Sequence, residues 1–355
     1  MDIIAIIERI GEGPTAALFG LITGLIFGVA AQRSNFCLRA AAIEFARGKL
    51  GGKVAVWFLT FSTALIWVQG AQLLGLFRQA DSRMMSVPGS WSGAIIGGLV
   101  FGVGMVLSRG CSGRLLVLAS TGNLRSVVAG LIFAVTAQMS LKGILAPYRD
   151  KLASLWITPD GANVSLLNAL HLPDWAGLAT GIVFAIAGIY LAKRNEIGVK
   201  TWIFASGVGF AVAVGWVLTF SLSQVAFDPV PVNSVTFSGP SANTLMFFLD
   251  RNAVLEFDVG LVPGVVIGAF LSSLVAGQFA WQAFDSVPVM RRSMIGAVMM
   301  GFGAMLAGGC AIGNGVTGTS VLAGTAWLAL FCMWIGAMVT DFLLDQRSLT
   351  PAQAC

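Results

Sequence analysis

From Val54 to Phe77 the chain runs through 24 residues without one charged side chain. A bilayer core about 30 Å thick takes roughly 20 helical residues to cross. Within it every backbone N–H and C=O must be bonded inside the segment itself. Eight further runs carry at most one charge each and predict spans over Thr15–Ala31, Trp91–Leu107, Ser126–Leu145, Trp175–Ala192, Thr201–Ser221, Val259–Phe279, Ser293–Ala307 and Val321–Leu344. Only 10% of the 355 residues are charged, against about 25% in a soluble domain, so the chain cannot cover a water-facing surface. The expected fold is all-α: a single transmembrane domain over residues 1–355 with about nine transmembrane helices.

Between the spans the sequence predicts short helices at Cys37–Ala46 and Leu245–Leu255, and extramembrane loops at Pro147–Pro173 and Asp228–Ser241. The stretch Met1–Pro14 has no basic n-region and no small-residue cleavage site, so no removable signal peptide is expected. The net charge of +5 is a matter of loop arginines and lysines, not a nucleic-acid signal. With nine spans the termini lie on opposite sides. The clusters Arg47/Lys49/Lys53, Lys193/Arg194/Lys200, Arg291/Arg292 and Arg347 then share one face, which the positive-inside rule makes cytoplasmic. That puts the N-terminus outside and the C-terminus in the cytoplasm, against Arg78, Arg83, Lys142, Arg149 and Lys151 on the other side.

One pattern recurs along the spans. Gly97, Gly102, Gly104, Gly110 and Cys111 reappear in register, at one constant offset, as Gly296, Gly301, Gly303, Gly309 and Cys310. A weaker copy places Gly28 nine residues before Cys37, the spacing of Gly102 to Cys111 and of Gly301 to Cys310. Close helix packing explains glycines but not their fixed spacing to a cysteine. Pairing the first four spans with the last four gives a first repeat over 15–145, a connecting span over 174–192 and a second repeat over 201–344. The odd number of spans inverts the second repeat. Interrupted helices then meet from both faces, a recurring transporter architecture.

The chemistry on offer is donation. A half-helix beginning at each cysteine presents unpaired N–H groups and the positive end of its dipole. Arg33, Arg39, Arg109 and Arg114 lie within four residues of Cys37 or Cys111 and are placed to draw an anion. A buried thiol adds a weak S–H donor on a soft, polarizable atom, which suits a soft anion better than sulfate or phosphate. The pathway set is therefore Cys37, Cys111, Cys310, Arg33, Arg109, Gly110, Gly309, Gly313 and Asn314. Cys332, in mid-span, and Cys355, at the terminus, are expected to be ordinary residues. Of the carboxylates, Asp258, Glu256 and Asp341 are expected at the interface and only Glu44 elsewhere, with no carboxylate relay. There is no Cys-x-x-Cys pair and a single histidine, His171, so zinc, haem and thioredoxin-like centres lack their ligands and no cofactor is implied.

At Gln32-Arg33-Ser34-Asn35-Phe36-Cys37, Gly102-Val103-Gly104 through Gly110-Cys111-Ser112-Gly113, and Met300-Gly301-Phe302-Gly303 through Gly309-Cys310-Ala311-Ile312-Gly313, the chain closely resembles the YeeE/YedE family of sulfur-transport membrane proteins. The resemblance implies an hourglass-like helical protein of the bacterial inner membrane, with inverted pseudo-two-fold symmetry. It implies thiosulfate as the ion taken up, passed along three thiols that map onto Cys37, Cys111 and Cys310. It also implies a small cytoplasmic sulfur-carrier protein of the TusA type as associate. Two other readings stand beside it: a permease for another sulfur or selenium species, and a membrane thiol–disulfide oxidoreductase, which needs a cysteine pair brought together in space.

Overall fold

The computed structural model describes residues 3–159, 162–251, 253–283 and 286–345, so Arg347 and Cys355 lie outside the described residues. Among them the regular structure is helical, with four isolated β-bridges and no strand. The first half comprises α1 (Ile3–Ile10), α2 (Glu12–Ser34), α3 (Leu38–Ala46), α4 (Gly52–Leu73), α5 (Arg83–Ser86), α6 (Trp91–Leu107), α7 (Ser112–Ser120) and α8 (Leu124–Leu141). Two short helices, α9 (Ala146–Ala153) and α10 (Leu166–Ala169), lead to α11 (Trp175–Arg194). The second half comprises α12 (Val199–Ser223), α13 (Ser238–Leu249), α14 (Phe257–Val275), α15 (Val287–Leu306) and α16 (Gly324–Thr340). Among the described residues nine segments are long and apolar enough to cross a membrane, each overlapping one of the nine expected spans. The protein is a polytopic membrane protein.

Glycine faces set how these helices pack. In lipid there is no hydrophobic drive between helices, so close backbone approach supplies the van der Waals attraction. A Cβ added at Gly20, Gly24 or Gly28 would strike the backbone of Phe257, Leu261 or Val265. Reciprocally, Gly260, Gly264 and Gly268 press on Ala17, Leu21 and Leu25. The two series rise together, so α2 and α14 run parallel. Gly98 and Gly102 meet Ala329 and Met333 in the same sense, making α6 parallel to α16.

The α6–α15 pair is antiparallel and reciprocal. A Cβ at Gly97 would lie 2.5 Å from Ala307 N and 2.7 Å from Gly303 O. One at Gly296 would lie 2.6 Å from Ser108 N and 2.5 Å from Gly104 O. These four contacts exchange under the sequence offset that relates Cys111 to Cys310. The crossing also fixes depth: α6 ends beside Gly296, nine residues into α15, so the turn carrying Cys111 begins inside the bundle.

Two elements differ from expectation. The second short helix is α13, beginning at Ser238 rather than Leu245. Its Pro240 reads as loop in sequence, but it occupies the first helical turn, where its missing N–H has no partner to lose. Cys37 does not start α3 but precedes it as the N-cap. The segment 147–173 carries α9 and α10 and folds over the start of α6, where Ser90 and Ser92 donate to the carbonyls of Ala153 (2.6 Å) and Leu152 (2.8 Å).

Candidate functional site

The three cysteines share one local geometry. Each long helix closes on a left-handed residue two positions before the cysteine: Asn35 at φ 51°, Arg109 at φ 59° and Gly308 at φ 77°. Each cysteine carbonyl then accepts the first bond of a new helical segment, from Ala41 N at 3.2 Å, Leu115 N at 2.9 Å and Asn314 N at 2.8 Å. Cys37 and Cys111 therefore stand at the N-caps of α3 and α7, where serine or aspartate ordinarily satisfies orphan N–H groups, and Cys310 opens the turn that leads into a short π-helix, Gly313–Gly318. Asparagine and glycine enter the left-handed region cheaply. Arginine at 109 does so against a cost of roughly 1–2 kcal/mol.

Cys310 is fully buried. Its Sγ accepts from Phe237 N at 3.3 Å and Gly313 N at 3.4 Å, and Thr236 Oγ1 lies 3.8 Å away. With two N–H groups on the sulfur's lone pairs, its own S–H remains the outgoing donor. A Cβ at Gly313 would strike Thr236 Oγ1, which explains that glycine. The Asn314 amide donates to Ala307 O at 3.0 Å and Gly309 O at 2.9 Å, tying off carbonyls of the C-cap and the turn that follow α15. Its place is that of a scaffold holding the turn, and Gly309 leaves room for it: a Cβ there would lie 2.9 Å from Asn314 Oδ1.

The other two turns join this one through named contacts. The Phe237 ring packs 5.2 Å from that of Phe27 and against Gly113, whose Cβ would lie 3.0 Å from Phe237 Cδ2 and 3.2 Å from Ile312 Cγ1. Phe237 thus bridges Cys310 to the half-helix capped by Cys111. From that half-helix, Arg114 Nη2 donates to Asn35 Oδ1 at 3.1 Å and reaches the Cys37 turn. Cys37, Cys111 and Cys310 are all at most 3% exposed, and Cys111 and Cys310 belong to one buried core cluster, with Phe36 and Leu38 on either side of Cys37 in it as well.

The basic residues divide. Arg39 and Arg114 are buried, whereas Arg33 and Arg109 are half-buried. Arg33 Nε donates to Ser272 Oγ at 3.0 Å, and Ser272 Oγ donates to Gln32 Oε1 at 2.8 Å, a polar network joining the ends of α2 and α14. Gly110 is buried and immediately precedes Cys111. Three of the carboxylates are held by partners within the protein, while Glu256 is exposed. Glu44 Oε2 accepts from Lys53 N and Val54 N at 2.9 and 3.0 Å, so it caps α4. Asp341 is 1% exposed and paired with Arg47 at 2.8 Å. Asp258 is likewise buried, accepting from Asn243 Nδ2 at 2.9 Å. Cys332 is buried in mid-helix, as expected.

Thr236 and Phe237 are the residues that sequence reasoning missed. They sit in a proline-rich loop with no cysteine or glycine signature. A signal did exist: Thr236 stands at the same offset from Cys37 as Cys310 does from Cys111, just ahead of α13 as Cys37 is just ahead of α3.

Nine helices long and apolar enough to cross a membrane, among the described residues, packed around buried donors that broken helices reach from two directions, define a polytopic membrane transport protein. The chain belongs to the sulphur transport family, which it matches over residues 33–339. It is 25% identical over 354 residues to the thiosulfate transporter TsuA of Escherichia coli (strain K12), covering 93% of this chain and 95% of that one. It is 26% identical over 340 residues to the thiosulfate transporter TsuA of Spirochaeta thermophila, covering 92% and 99% respectively. Family and relatives are transporters rather than enzymes, and so is this chain.

Proposed function

We propose that this protein takes up thiosulfate across a bacterial inner membrane, passing the anion along Cys310, Cys111 and Cys37 by exchange of S–H hydrogen bonds. The observation that carries the reading is three buried thiols in turns linked by named contacts, two of them at the N-caps of half-helices and the third, Cys310, opening a helical turn. Dipole ends and N–H groups attract the charge, while weak thiol donors let it go again, which a conducting site requires. Both relatives are thiosulfate transporters over more than nine-tenths of this chain.

In this reading the N-terminus lies outside and the C-terminus in the cytoplasm. Cys310 is reached first, and Arg33 and Arg109 serve the inward pair of cysteines. Residues 15–145 and 201–344 form two inverted repeats linked by the span at 174–192, a division supported by the reciprocal α6–α15 contacts. A cytoplasmic sulfur-carrier protein of the TusA type receives the product on the inner face. The test is uptake of radiolabelled thiosulfate into cells lacking their own importers. Wild type is expected to restore uptake, and Cys111→Ala, at equal membrane expression, to abolish it. Uptake surviving in the variant discards the thiol relay, and none by wild type discards the substrate.

A further inference from the structure

Arg114 and Ser112 occupy the first turn of α7, two positions apart, between the Cys111 and Cys37 turns. Arg114 is 8% exposed and Ser112 is 6% exposed. One guanidinium hydrogen bond is accounted for, from Nη2 to Asn35 Oδ1, but Arg114 Nε has no partner and neither does Ser112 Oγ. Among the described residues no carboxylate forms an ion pair with Arg114. The N–H groups of Ser112, Gly113 and Arg114 belong to the opening turn of the helix, so none finds a carbonyl within it. A full positive charge, an orphan hydroxyl and a helix N-terminus are thus buried together, with no carboxylate of the described residues in ion-pair range of the guanidinium.

Leaving a charge buried and uncompensated is strongly unfavourable, and ionisable groups inside a membrane protein mark the path of what it carries. We infer that Arg114 and Ser112 form an oxyanion subsite that reads the oxygen end of the transported anion while a neighbouring thiol reads its sulfur end. This deepens the thiosulfate reading and rests on it. Thiosulfate is tetrahedral, with one sulfur and three oxygen corners, and so presents two chemically distinct ends. The hard oxygens suit a guanidinium fork, a hydroxyl and backbone N–H groups. The soft sulfur suits Cys111, whose carbonyl opens the same half-helix. Two-ended recognition holds the ion in one orientation, and a sulfate, lacking the soft corner, fills only half of the site.

The discriminating experiment uses the purified full-length protein in detergent, with thermal unfolding measured without anion and with sodium thiosulfate, sulfite or sulfate, beside uptake kinetics in cells. Arg114→Met is expected to unfold no earlier than wild type without anion, because an apolar side chain of similar length replaces an uncompensated charge. It is expected to lose most of the thiosulfate-induced stabilisation and to raise the KM for uptake at least tenfold. Arg114→Lys keeps the charge without the fork and is expected to raise KM severalfold; Ser112→Ala is expected to raise it less. If Arg114→Met unfolds early but keeps the full thiosulfate shift and the wild-type KM, Arg114 only ties α7 to Asn35 and the inference falls. If Arg114→Met does not fold, Arg114→Lys decides: an unchanged KM overturns the subsite. Wild type stabilised by sulfite but not by thiosulfate, with the shift lost on Arg114 substitution, removes the substrate reading and leaves the subsite standing. A wild type stabilised by none of the three anions overturns both.

Discussion

Substituting Cys310 by serine separates what the thiol does for the fold from what it does for the ion. At this position the sulfur accepts from Gly313 N at 3.4 Å and Phe237 N at 3.3 Å, the geometry of an N-cap. Serine is among the preferred N-caps, and replacing one by alanine costs typically about 1 kcal/mol. Cys310→Ser is therefore expected to leave stability unchanged or slightly raised, whereas Cys310→Ala gives up the cap. Transport moves the other way. A hydroxyl is a stronger donor than a thiol, and hydrogen bonds to charged groups contribute about 1.5–3 kcal/mol. Deepening one station on the path by about 1.4 kcal/mol slows departure from it tenfold. The variant is expected to show a KM equal to or below that of wild type and a maximal uptake rate lower by about tenfold, while Cys310→Ala shows a raised KM. Initial rates of labelled thiosulfate uptake over a range of concentrations, normalised to membrane protein, read both parameters. A Cys310→Ser protein that transports at the wild-type rate would refute the argument that a weak donor is needed for release.

Other consequences are testable on the same footing. Gly97→Ala puts a methyl group 2.5 Å from Ala307 N, so α6 and α15 must part; a loss of about 1–3 kcal/mol is expected, read as earlier thermal unfolding in detergent. Arg109→Gly relieves the left-handed backbone at φ 59° and is expected to raise stability by roughly 1–2 kcal/mol. The same variant removes a guanidinium near Cys111, so its KM for thiosulfate is expected to rise, and an unchanged KM would take Arg109 off the path. Asp341→Asn removes the carboxylate bonded to Arg47 through both oxygens, at 2.8 and 3.0 Å. It is expected to lower stability by about 1–3 kcal/mol with little change in KM, because the pair joins the end of α3 to that of α16 away from the cysteine cluster.

The spans were legible because the bilayer imposes a length and a composition that few other constraints imitate. Trp91–Leu107 was delimited to the residue, bounded by loops at one end and by the Ser108-Arg109-Gly110 turn at the other. The cysteine turns were legible because Gly97, Gly104, Gly296 and Gly303 have no alternative: any side chain there meets backbone. What remained hidden depends on contacts between segments far apart in sequence. Asp258 and Glu256 look alike as flanking acids, yet α13 covers the first of them and supplies Asn243. Glu44 looks like a free intramembrane carboxylate until α4 presents its first N–H groups to it. Phe237 carries no chemical label, and its importance comes from a backbone N–H aimed at Cys310 and a ring seated on Gly113.

The distribution of charge along the proposed path bears on how net uptake arises. Around Cys310 the donors are neutral: two backbone N–H groups and the Thr236 hydroxyl. Arg33, Arg39, Arg109 and Arg114 all lie near Cys37 and Cys111, the inward pair in the orientation proposed. For a dianion entering a cell with a potential of 100 mV, inside negative, the electrical work is about 4.6 kcal/mol, twice the value for one charge. Inward guanidinium groups lower the ion's energy where they stand and so draw it down the path. They do not alter the difference between the two bulk phases, which no fixed charge can change. Uptake through such a site therefore runs inward only when it is coupled to another gradient, or when a reaction that consumes the ion on arrival holds its internal concentration low. Delivery to a sulfur-accepting protein at the inner face meets that requirement. Uptake is then expected to fall when that acceptor is deleted, even with the transporter at full expression. Uptake undiminished by the deletion would assign the driving force to coupling within the transporter itself.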